Sequence, residues 1–448
     1  MKRNITKFGM LTAMLLTFLT ASAYDFEVDG IYYNVVSFPD LTCEVTSGDA
    51  KYTGDIVIPG KVSYNGRELT VVKIGKSAFG GCSSLTSITI PDSVTEIVSS
   101  AFRGCSSLTS ITIPDSVTEI GSYAFYGCSS LTSITIPDSV TTIGDFAFRG
   151  CSSLTSITIP DSVTEIGEYA FSSCSSLTSI TIPDSVTTIY RSVFEDCSSI
   201  SSIKLSENLK KIEYGTFSNC SSLTSLTFPG SLEMIEIYYY YQESGRFTFK
   251  NCDKLSDIKI EYGENPLRFT YYDDAWDKDV DLTSSKVFYW QEKDKDYFVP
   301  VETFFIDREV DTDGYSLELP YLKDYIIGEH VAKNQVNIKN SETLESITCY
   351  ASVPPTGVYA TNAQYMNLVV KVPQESLEAY QQADGWKNFW NLQGFDPSVS
   401  GVDAIAVDAA ERVETGRDNL NGQKVNQDYS GIVIVRYSDG LTRKMVQK

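Results

Sequence analysis

The feature that most constrains this chain is an internal repeat with a period of 23 residues. The string CSSLTSITIPDSVT occurs five times without change, beginning at Cys82, Cys105, Cys128, Cys151 and Cys174. Weaker copies begin at Cys197 and Cys220, and Cys252 follows after a longer interval that implies an insertion of nine residues. Repeats of this length cannot bury an apolar face alone, so the period predicts coils that stack into a solenoid.

Each unit opens with a strand-like pattern. In the unit that begins at Cys128, Leu131, Ile134 and Ile136 are apolar, whereas Ser133 and Thr135 between them are polar. This alternation predicts a short strand with one buried face. Stacked in register about 4.8 Å apart, such strands form a parallel sheet along one side of the molecule. The L-x-x-I-x-I core at this period is typical of a leucine-rich repeat solenoid.

The rest of the unit is predicted to return the chain through a short helical or irregular segment. A turn at Pro137 precedes Ile143, which re-enters the core. A short helix would then place Phe146–Phe148 near the next cysteine. Ser122 or Asp145 could cap such a helix, because either side chain can accept a hydrogen bond from an unpaired backbone amide.

The cysteines follow the repeat. Eight of the ten occupy one repeat position, where leucine-rich repeats carry a buried Asn or Cys at the bend from strand to return. Buried thiols behave as small hydrophobes. Disulfides between neighbouring coils are the alternative, but stacked side chains point in parallel, so we predict reduced thiols. No C-x-x-C pair is present, which argues against a zinc knuckle or thioredoxin-type site.

Composition restricts the function. The chain has 36 Lys and Arg against 58 Asp and Glu, a formal net charge of -22, which argues against nucleic acid and anionic lipid surfaces as partners. The single histidine excludes a multi-histidine metal site. With 42% hydrophobic residues the chain has enough apolar material for a core.

The first 23 residues are predicted to be a cleaved signal peptide. Lys2 and Arg3 precede an apolar run over residues 8–19, and Ala21-Ser22-Ala23 offers a signal peptidase site. A retained N-terminal anchor is the alternative. No later run approaches the length of a membrane span, so we expect no transmembrane segment in the mature chain.

The repeat CSSLTSITIPDSVTEIGxxAFxG resembles that of the BspA-like group of bacterial leucine-rich repeat proteins. The resemblance covers residues 69–260, and Glu345–Cys349 with Ser376–Tyr380 resembles the degenerate last coils that close such arrays. It implies a right-handed solenoid, export, frequent surface exposure, and adhesion to host proteins or other cells. No shared motif defines binding residues in this group.

The flanks of the regular repeats (69–260) are predicted to differ in structure. In residues 24–68 apolar and polar residues alternate as in β-strands, and we expect these strands to cap the open N-terminal end of the solenoid. Residues 261–394 are acidic, aromatic-rich and irregular, and we interpret them as degenerate repeats and closing coils, with a small separate domain as the alternative. Residues 395–412 are predicted to be a linker.

Residues 413–448 are predicted to form a small β module. Asn421-Gly422 and Asp439-Gly440 are hairpin signals between apolar strands. The segment resembles the C-terminal sorting domain of Bacteroidetes proteins exported by the type IX route, with the usual aromatic-Asp-Leu-Asn-Gly opening replaced by Arg417–Gly422. This resemblance implies secretion machinery as a partner; a β module without a sorting role is the alternative.

We find no sequence motif for catalysis or a cofactor. The chain has no G-x-S-x-G, G-x-G-x-x-G, Walker, H-E-x-x-H or EF-hand string. His330 has no recognisable catalytic neighbour and is predicted to be an ordinary surface or turn residue. We therefore predict no enzyme activity, no cofactor and no metal. Paired carboxylates within residues 261–394, as in a polysaccharide hydrolase, stay an alternative because such pairing is spatial.

Three surfaces are candidates for binding. The first is the hydroxyl array of the strands, for which solvated filler is the alternative: Ser87, Thr89, Ser110, Thr112, Ser133, Thr135, Ser156, Thr158, Ser179 and Thr181. The second is the insertion that carries Tyr238, Tyr239, Tyr240 and Tyr241, since tyrosine offers a large contact area; packing of these rings on the next coil is the alternative. The third is the column of post-proline aspartates, where we favour a turn role over calcium binding: Asp92, Asp115, Asp138, Asp161 and Asp184.

Together these features predict an exported, non-enzymatic protein at the cell surface or outside the cell. Its repeated surface would adhere to an extracellular protein or glycan, because weak contacts along an array add through avidity. A structural spacer and a hydrolase are the competing hypotheses.

Overall fold

The structure is a computed structural model, and it describes residues 24–240, 246–273, 288–292, 295–311, 317–334, 336–397, 414–419, 431–437 and 442–447. The predicted signal peptide and most of the predicted linker lie outside these residues. Among the described residues, no helix is both long and apolar enough to cross a bilayer.

The repeats are built from short strands. Those up to residue 247 are β1 (Phe26–Val28), β2 (Ile31–Ser37), β3 (Thr42–Thr46), β4 (Gly54–Val57), β5 (Lys61–Tyr64), β6 (Arg67–Ile74), β7 (Leu85–Thr89), β8 (Glu96–Ile97), β9 (Ser110–Thr112), β10 (Glu119–Ile120), β11 (Ser133–Thr135), β12 (Thr142–Ile143), β13 (Glu165–Ile166), β14 (Ser179–Thr181), β15 (Thr188–Ile189), β16 (Ser202–Lys204), β17 (Lys211–Ile212), β18 (Ser225–Phe228), β19 (Met234–Tyr240) and β20 (Arg246–Phe247).

The later part of the chain adds longer strands and two short helices. The strands are β21 (Asp257–Ile260), β22 (Leu267–Asp273), β23 (Tyr289–Glu292), β24 (Lys295–Phe298), β25 (Thr303–Ile306), β26 (Val310–Asp311), β27 (Asp324–Ile327), β28 (Ser346–Cys349), β29 (Val369–Pro373), β30 (Asn391–Phe395), β31 (Glu414–Asn419), β32 (Gly431–Tyr437) and β33 (Thr442–Gln447). The helices are α1 (Asn362–Asn367) and α2 (Leu377–Gln382). Single 3-10 turns cover Ile338–Asn340, Gln374–Ser376 and Trp386–Asn388.

Most repeat units contribute two strands, which pair in parallel with the equivalent strands of neighbouring units. The first strand carries the Ser-Ile-Thr triplet, so that β11 pairs with β9 through Ser133↔Ser110 and Thr135↔Thr112. The second strand centres on the isoleucine of the Glu-Ile or Thr-Ile pair, and β6, β8, β10, β12 and β13 pair in that order. The predicted parallel sheet is present, and the second strand was not predicted.

The return segment contains no helix, so the helical form of the return was wrong. Its residues form successive turns because Tyr123, Phe146 and Tyr169 have φ angles of 60°, 56° and 55°, which a right-handed helix does not allow. The amides donate to the next coil instead: Phe102 N–H, for example, donates to the Ala124 carbonyl at 2.8 Å.

The predicted caps of that helix were therefore also wrong. Asp145 Oδ1 accepts a hydrogen bond from the backbone N–H of Glu168 at 2.8 Å, which joins two coils rather than capping a helix. Ser122 contributes its backbone carbonyl to the N–H of Ser100, again between coils. Hydrogen bonds between coils thus satisfy the polar backbone of the return segment, as burial requires.

The core is a continuous apolar column through the stacked coils. One phenylalanine per unit stacks on the next, with centroid separations from 5.2 Å between Phe79 and Phe102 to 6.4 Å between Phe194 and Phe217. All ten cysteines are buried free thiols, so the predicted reduced state is what the structure shows. The eight repeat cysteines lie at the end of the return segment rather than at the predicted bend after the strand, whereas Cys43 and Cys349 lie in β3 and β28. Cys128 Sγ donates to the Phe102 carbonyl at 3.1 Å, one coil away.

The two ends of the stack are closed differently. At the N-terminal end, β1, β2 and β3 pair antiparallel, and β3 pairs in parallel with β6 of the stack. Towards the C-terminal end, β18, β21, β25, β27, β28, β29 and β30 continue one parallel sheet. Trp386 is fully buried there, and its Nε1–H donates to the Pro355 carbonyl at 2.7 Å.

The last strands form a separate antiparallel sheet in the order β31, β32, β33. Val433 pairs with Asn419 on one side and with Met445 on the other. The predicted hairpin turns at residues 421–422 and 439–440 lie outside the described residues.

Candidate binding surfaces

The hydroxyl array is a flat, exposed surface on the first strands. All ten predicted Ser and Thr residues are exposed, while the isoleucine between each pair is buried, as for Ile134 at 6% exposure. The pairs are in register across β9 and β11, and a bridge between Thr135 and Thr158 carries the register into the next unit. The structure therefore brings the predicted residues together as two parallel columns.

A third hydroxyl column lies beside these two and was missed by the sequence reasoning. It consists of the exposed threonine before each serine: Thr86, Thr109, Thr132, Thr155 and Thr178. Some of these hydroxyls join neighbouring coils, since Thr132 Oγ1 donates to the Thr109 carbonyl at 3.2 Å. Threonine is unchanged at this position in all five units, and this is the sequence signal from which the third column could have been predicted. We call the three columns together the hydroxyl face.

Charged residues mark the two ends of the hydroxyl face. At one end Asp55 Oδ1 accepts hydrogen bonds from Thr86 Oγ1 at 2.8 Å and Ser87 Oγ at 2.7 Å. These two bonds hold the pKa of the Asp55 carboxyl below its ordinary value because they favour the charged form. At the other end Thr181 is paired with Lys204, whose side chain is exposed.

The aspartate column lies at the corner that follows the first strand. All five side chains are exposed, and the turns close through hydrogen bonds such as Val117 N–H to the Pro114 carbonyl at 3.0 Å. Asp184 Oδ1 accepts from the backbone N–H of Glu207 at 2.8 Å, again between coils. Within the described part of the chain, no three His, Cys, Asp or Glu side chains are grouped to hold a metal ion.

The tyrosine insertion extends a second strand. Tyr238 and Tyr239 in β19 pair with Phe247 and Arg246 of β20, and β19 also pairs in parallel with β22. Tyr240 ends the strand, and Tyr241 lies outside the described residues. The backbone thus places Tyr238 and Tyr239 between two partner strands, whereas Tyr240 pairs with β22 alone. Whether they bind a ligand stays a prediction.

His330 lies in a turn with its side chain 46% exposed. Its Nδ1 is 3.1 Å from Asp307 Oδ1, and its backbone N–H donates to the same oxygen at 3.0 Å. The ring packs against Tyr262 with a centroid separation of 3.8 Å. These contacts fix the turn.

A polar cavity of about 210 Å³ lies between the turns near Gly230 and Arg308. Arg308 is 2% exposed and donates to the carbonyls of Gly230 at 2.9 Å and Pro229 at 3.3 Å, so its guanidinium links two turns. Of the two carboxylates that line the cavity, Glu233 is paired with Lys210 at 3.1 Å.

Comparison with known proteins agrees with this architecture. Residues 68–151 and 118–246 match the profile of the BspA type leucine rich repeat region, in six copies. A leucine rich repeat protein from T. pallidum is 32% identical, over 44% of this chain and 90% of that chain, with a TM-score of 0.40. A search of curated proteins finds no match.

Two further solved structures are similar over most of this chain. A leucine-rich repeat protein from Bacteroides ovatus is 26% identical, over 83% of this chain and 100% of that chain, with a TM-score of 0.49. A leucine rich cell surface protein from Faecalibacterium prausnitzii is 20% identical, over 83% and 94%, with a TM-score of 0.38.

The stacked parallel strands and the repeat matches define a leucine-rich repeat protein. Its regular repeats are of the BspA type, as the resemblance of the string that begins at Cys82 predicted.

Proposed function

We propose that this protein is exported to the cell surface and adheres there to an extracellular protein or glycan through the hydroxyl face. The observation that carries the proposal is the exposure of all ten predicted Ser and Thr residues, with the pairs in register from β9 to β11 and on to Thr158. Each hydroxyl can both donate and accept a hydrogen bond, and each bond alone is weak. A ligand with its own regular spacing would gain affinity from many such bonds at once.

The export part of the proposal rests on the two ends of the sequence. Residues 1–23 have the pattern of a signal peptide. Residues 413–448 resemble a type IX sorting domain, and their described strands form the antiparallel sheet β31–β33. Removing residues 413–448 should leave the protein in the periplasm of a type IX-competent host, as measured by fractionation. Unchanged surface display would contradict a sorting role.

The adhesion part is tested with threonine-to-valine variants, which keep the β-branched shape and remove the hydroxyl. The variant T112V/T135V/T158V changes the hydroxyl face. The matched control T118V/T141V/T164V changes exposed threonines of the same array outside the first strand, such as Thr141, whose Oγ1 donates to the Thr118 carbonyl.

Residues 24–448 would be applied to immobilised collagen, fibronectin, laminin, cellulose and chitin. We expect saturable binding to one of them, with affinity about tenfold lower for the face variant and unchanged for the control. Equal loss in both variants, or no binding to any of the five, would contradict adhesion through this face and favour the spacer.

A further inference from the structure

The five units with the unchanged string differ only in their last nine residues, which form the second strand and the return segment. The nine residues are EIVSSAFRG, EIGSYAFYG, TIGDFAFRG, EIGEYAFSS and TIYRSVFED. The buried Ile and Phe are constant within them. Exposed residues of the string, such as Thr112, Asp115 and Thr118, do not vary either. Exposure alone therefore does not explain where the units differ.

The varying positions hold aromatic and arginine side chains that stack along the return segments. Tyr123, Phe146 and Tyr169 form a column with centroid separations of 4.6 and 4.7 Å and interplanar angles of 7°. Arg149 lies 5.6 Å from the Phe146 ring centroid and 5.5 Å from that of Tyr169. Arg103 lies 5.3 Å from the centroid of Tyr126. We call these six residues the aromatic–arginine ridge.

Three of the four aromatic residues of the ridge occupy a costly backbone conformation. Tyr123, Phe146 and Tyr169 all have positive φ, whereas the equivalent positions of the flanking units hold the smaller Ser100 and Ser192. A bulky side chain in the left-handed region costs about 1–2 kcal/mol. Phe146 is also only partly buried, so the core does not account for it. Positive φ also occurs at Ser77 and Gly215, so this conformation belongs to the repeat and does not require an aromatic side chain.

Neither arginine of the ridge forms an ion pair with another described residue. Arg191, at the edge of the ridge, is paired with Glu168, to which its Nε–H donates at 2.6 Å. Arg103 and Arg149, in contrast, have no carboxylate within 4.0 Å among the described residues, and their contacts are with aromatic rings. Arg103 is thus exposed and Arg149 partly exposed, both without an ion-pair partner among the described residues, on a chain whose formal net charge is -22.

We propose that the ridge binds an acidic segment of a partner protein. This proposal rests on the proposed binding role of the protein, and it adds a second binding surface with a partner of defined chemistry. Unpaired guanidinium groups form charge-assisted hydrogen bonds with carboxylates. Arginine and tyrosine are also among the side chains enriched at protein–protein hot spots. A glycan is the weaker fit, because the ring faces stack on one another and leave mainly their edges for a ligand.

The variant that tests the ridge takes its substitutions from the array itself. Ser172 is the residue that the fourth unit has where Arg103, Tyr126 and Arg149 stand in the first three. R103S/Y126S/R149S therefore replaces the ridge with a side chain that this fold already accepts. The control K61S/K204S removes two positive charges from exposed positions outside the ridge.

The probe is poly-L-glutamate, tested by isothermal titration calorimetry with residues 24–448 at low salt, where charge interactions are least screened. We expect binding in spite of the negative net charge, an affinity about tenfold lower for the ridge variant, and little change for the control. T112V/T135V/T158V should bind the probe as the parent does, so failure of adhesion through the hydroxyl face is distinguished from failure of the ridge.

Three results would overturn the ridge proposal. One is no binding of poly-L-glutamate to the parent protein. A second is equal weakening in the ridge variant and in K61S/K204S, which would reduce the effect to net charge. The third is binding of dextran sulfate in the absence of poly-L-glutamate binding, which would assign the ridge to sulfated glycans. Circular dichroism melts of the three proteins confirm that each is folded.

Discussion

Replacing Cys151 with alanine should flatten the dependence of stability on pH above about pH 8. The thiol is fully buried, and its Sγ donates to the Phe125 carbonyl at 3.3 Å. Burial raises the pKa of Cys151 to about 12, from an ordinary value of 9.0, because the thiolate would lose its hydration. As pH rises past 9, the unfolded chain releases this proton and the folded chain keeps it. Stability is therefore present below that pH and is lost progressively towards pH 12.

The size of the effect follows from the two pKa values. One pKa unit corresponds to about 1.36 kcal/mol, so about 2 kcal/mol is lost at about pH 10.5 through this thiol. Alanine does not titrate. At neutral pH, C151A should cost about 1–2 kcal/mol, because it leaves a small cavity and removes the donor from the Phe125 carbonyl. The cost should therefore disappear at the higher pH.

The assay is urea unfolding followed by circular dichroism at about pH 7.5 and about pH 10.5. V140A is the matched control, because Val140 is also fully buried in the same array and cannot ionise. We expect V140A to lower the free energy of unfolding by the same amount at both pH values, and C151A to lower it less at the higher pH. If C151A keeps the pH dependence of the parent protein, the thiol is not a buried protonated group, and our account of the cysteine column is wrong.

Two further substitutions test the packing of the coils. Phe148 is fully buried, and its ring stacks between those of the two neighbouring coils at 5.4 and 5.5 Å, so F148A should lower the free energy of unfolding by about 3–5 kcal/mol in a urea titration. A Cβ at Gly144 would lie 2.6 Å from the backbone nitrogen of Ser122, so G144A should cost about 1–3 kcal/mol in the same assay. G60A is its control, since the nearest atom would be at an ordinary 3.5 Å, and equal effects of the two alanines would contradict the close approach between coils.

The sequence was sufficient to predict the structural features that are determined within a single repeat unit. Alternation around Ile134 predicted the first strand, and the identical spacing of the units predicted that equivalent strands would pair in register. The position of Cys151 on the apolar side predicted a buried thiol. These predictions succeed because local periodicity determines which side chains face inwards, and stacking then repeats the result.

The sequence was insufficient where the backbone depends on the neighbouring coil. The segment Asp145–Phe148 has apolar side chains that suit a short helix as well as a turn, and no local signal requires Phe146 to adopt a positive φ. The turn forms because its amides donate hydrogen bonds to carbonyls of the next coil; for example, Phe146 N–H donates to the Glu168 carbonyl at 2.8 Å. The second strand was missed for the same reason: an isolated Thr142-Ile143 pair becomes a strand only when equivalent pairs stack.

The two proposed surfaces differ in how tightly the fold constrains them. Most buried side chains of a unit lie in the unchanged string, and the last nine residues supply only an Ile, an Ala or Val, and a Phe to the hydrophobic core. Apart from close approaches such as that at Gly144, the remaining positions can therefore change without loss of the hydrophobic core, and there the aromatic–arginine ridge has formed. Adding a unit would extend the hydroxyl face by one identical row, so its affinity should grow with the number of units. Adding a unit to the ridge would change its chemistry, so partner choice there depends on which units are present and in what order.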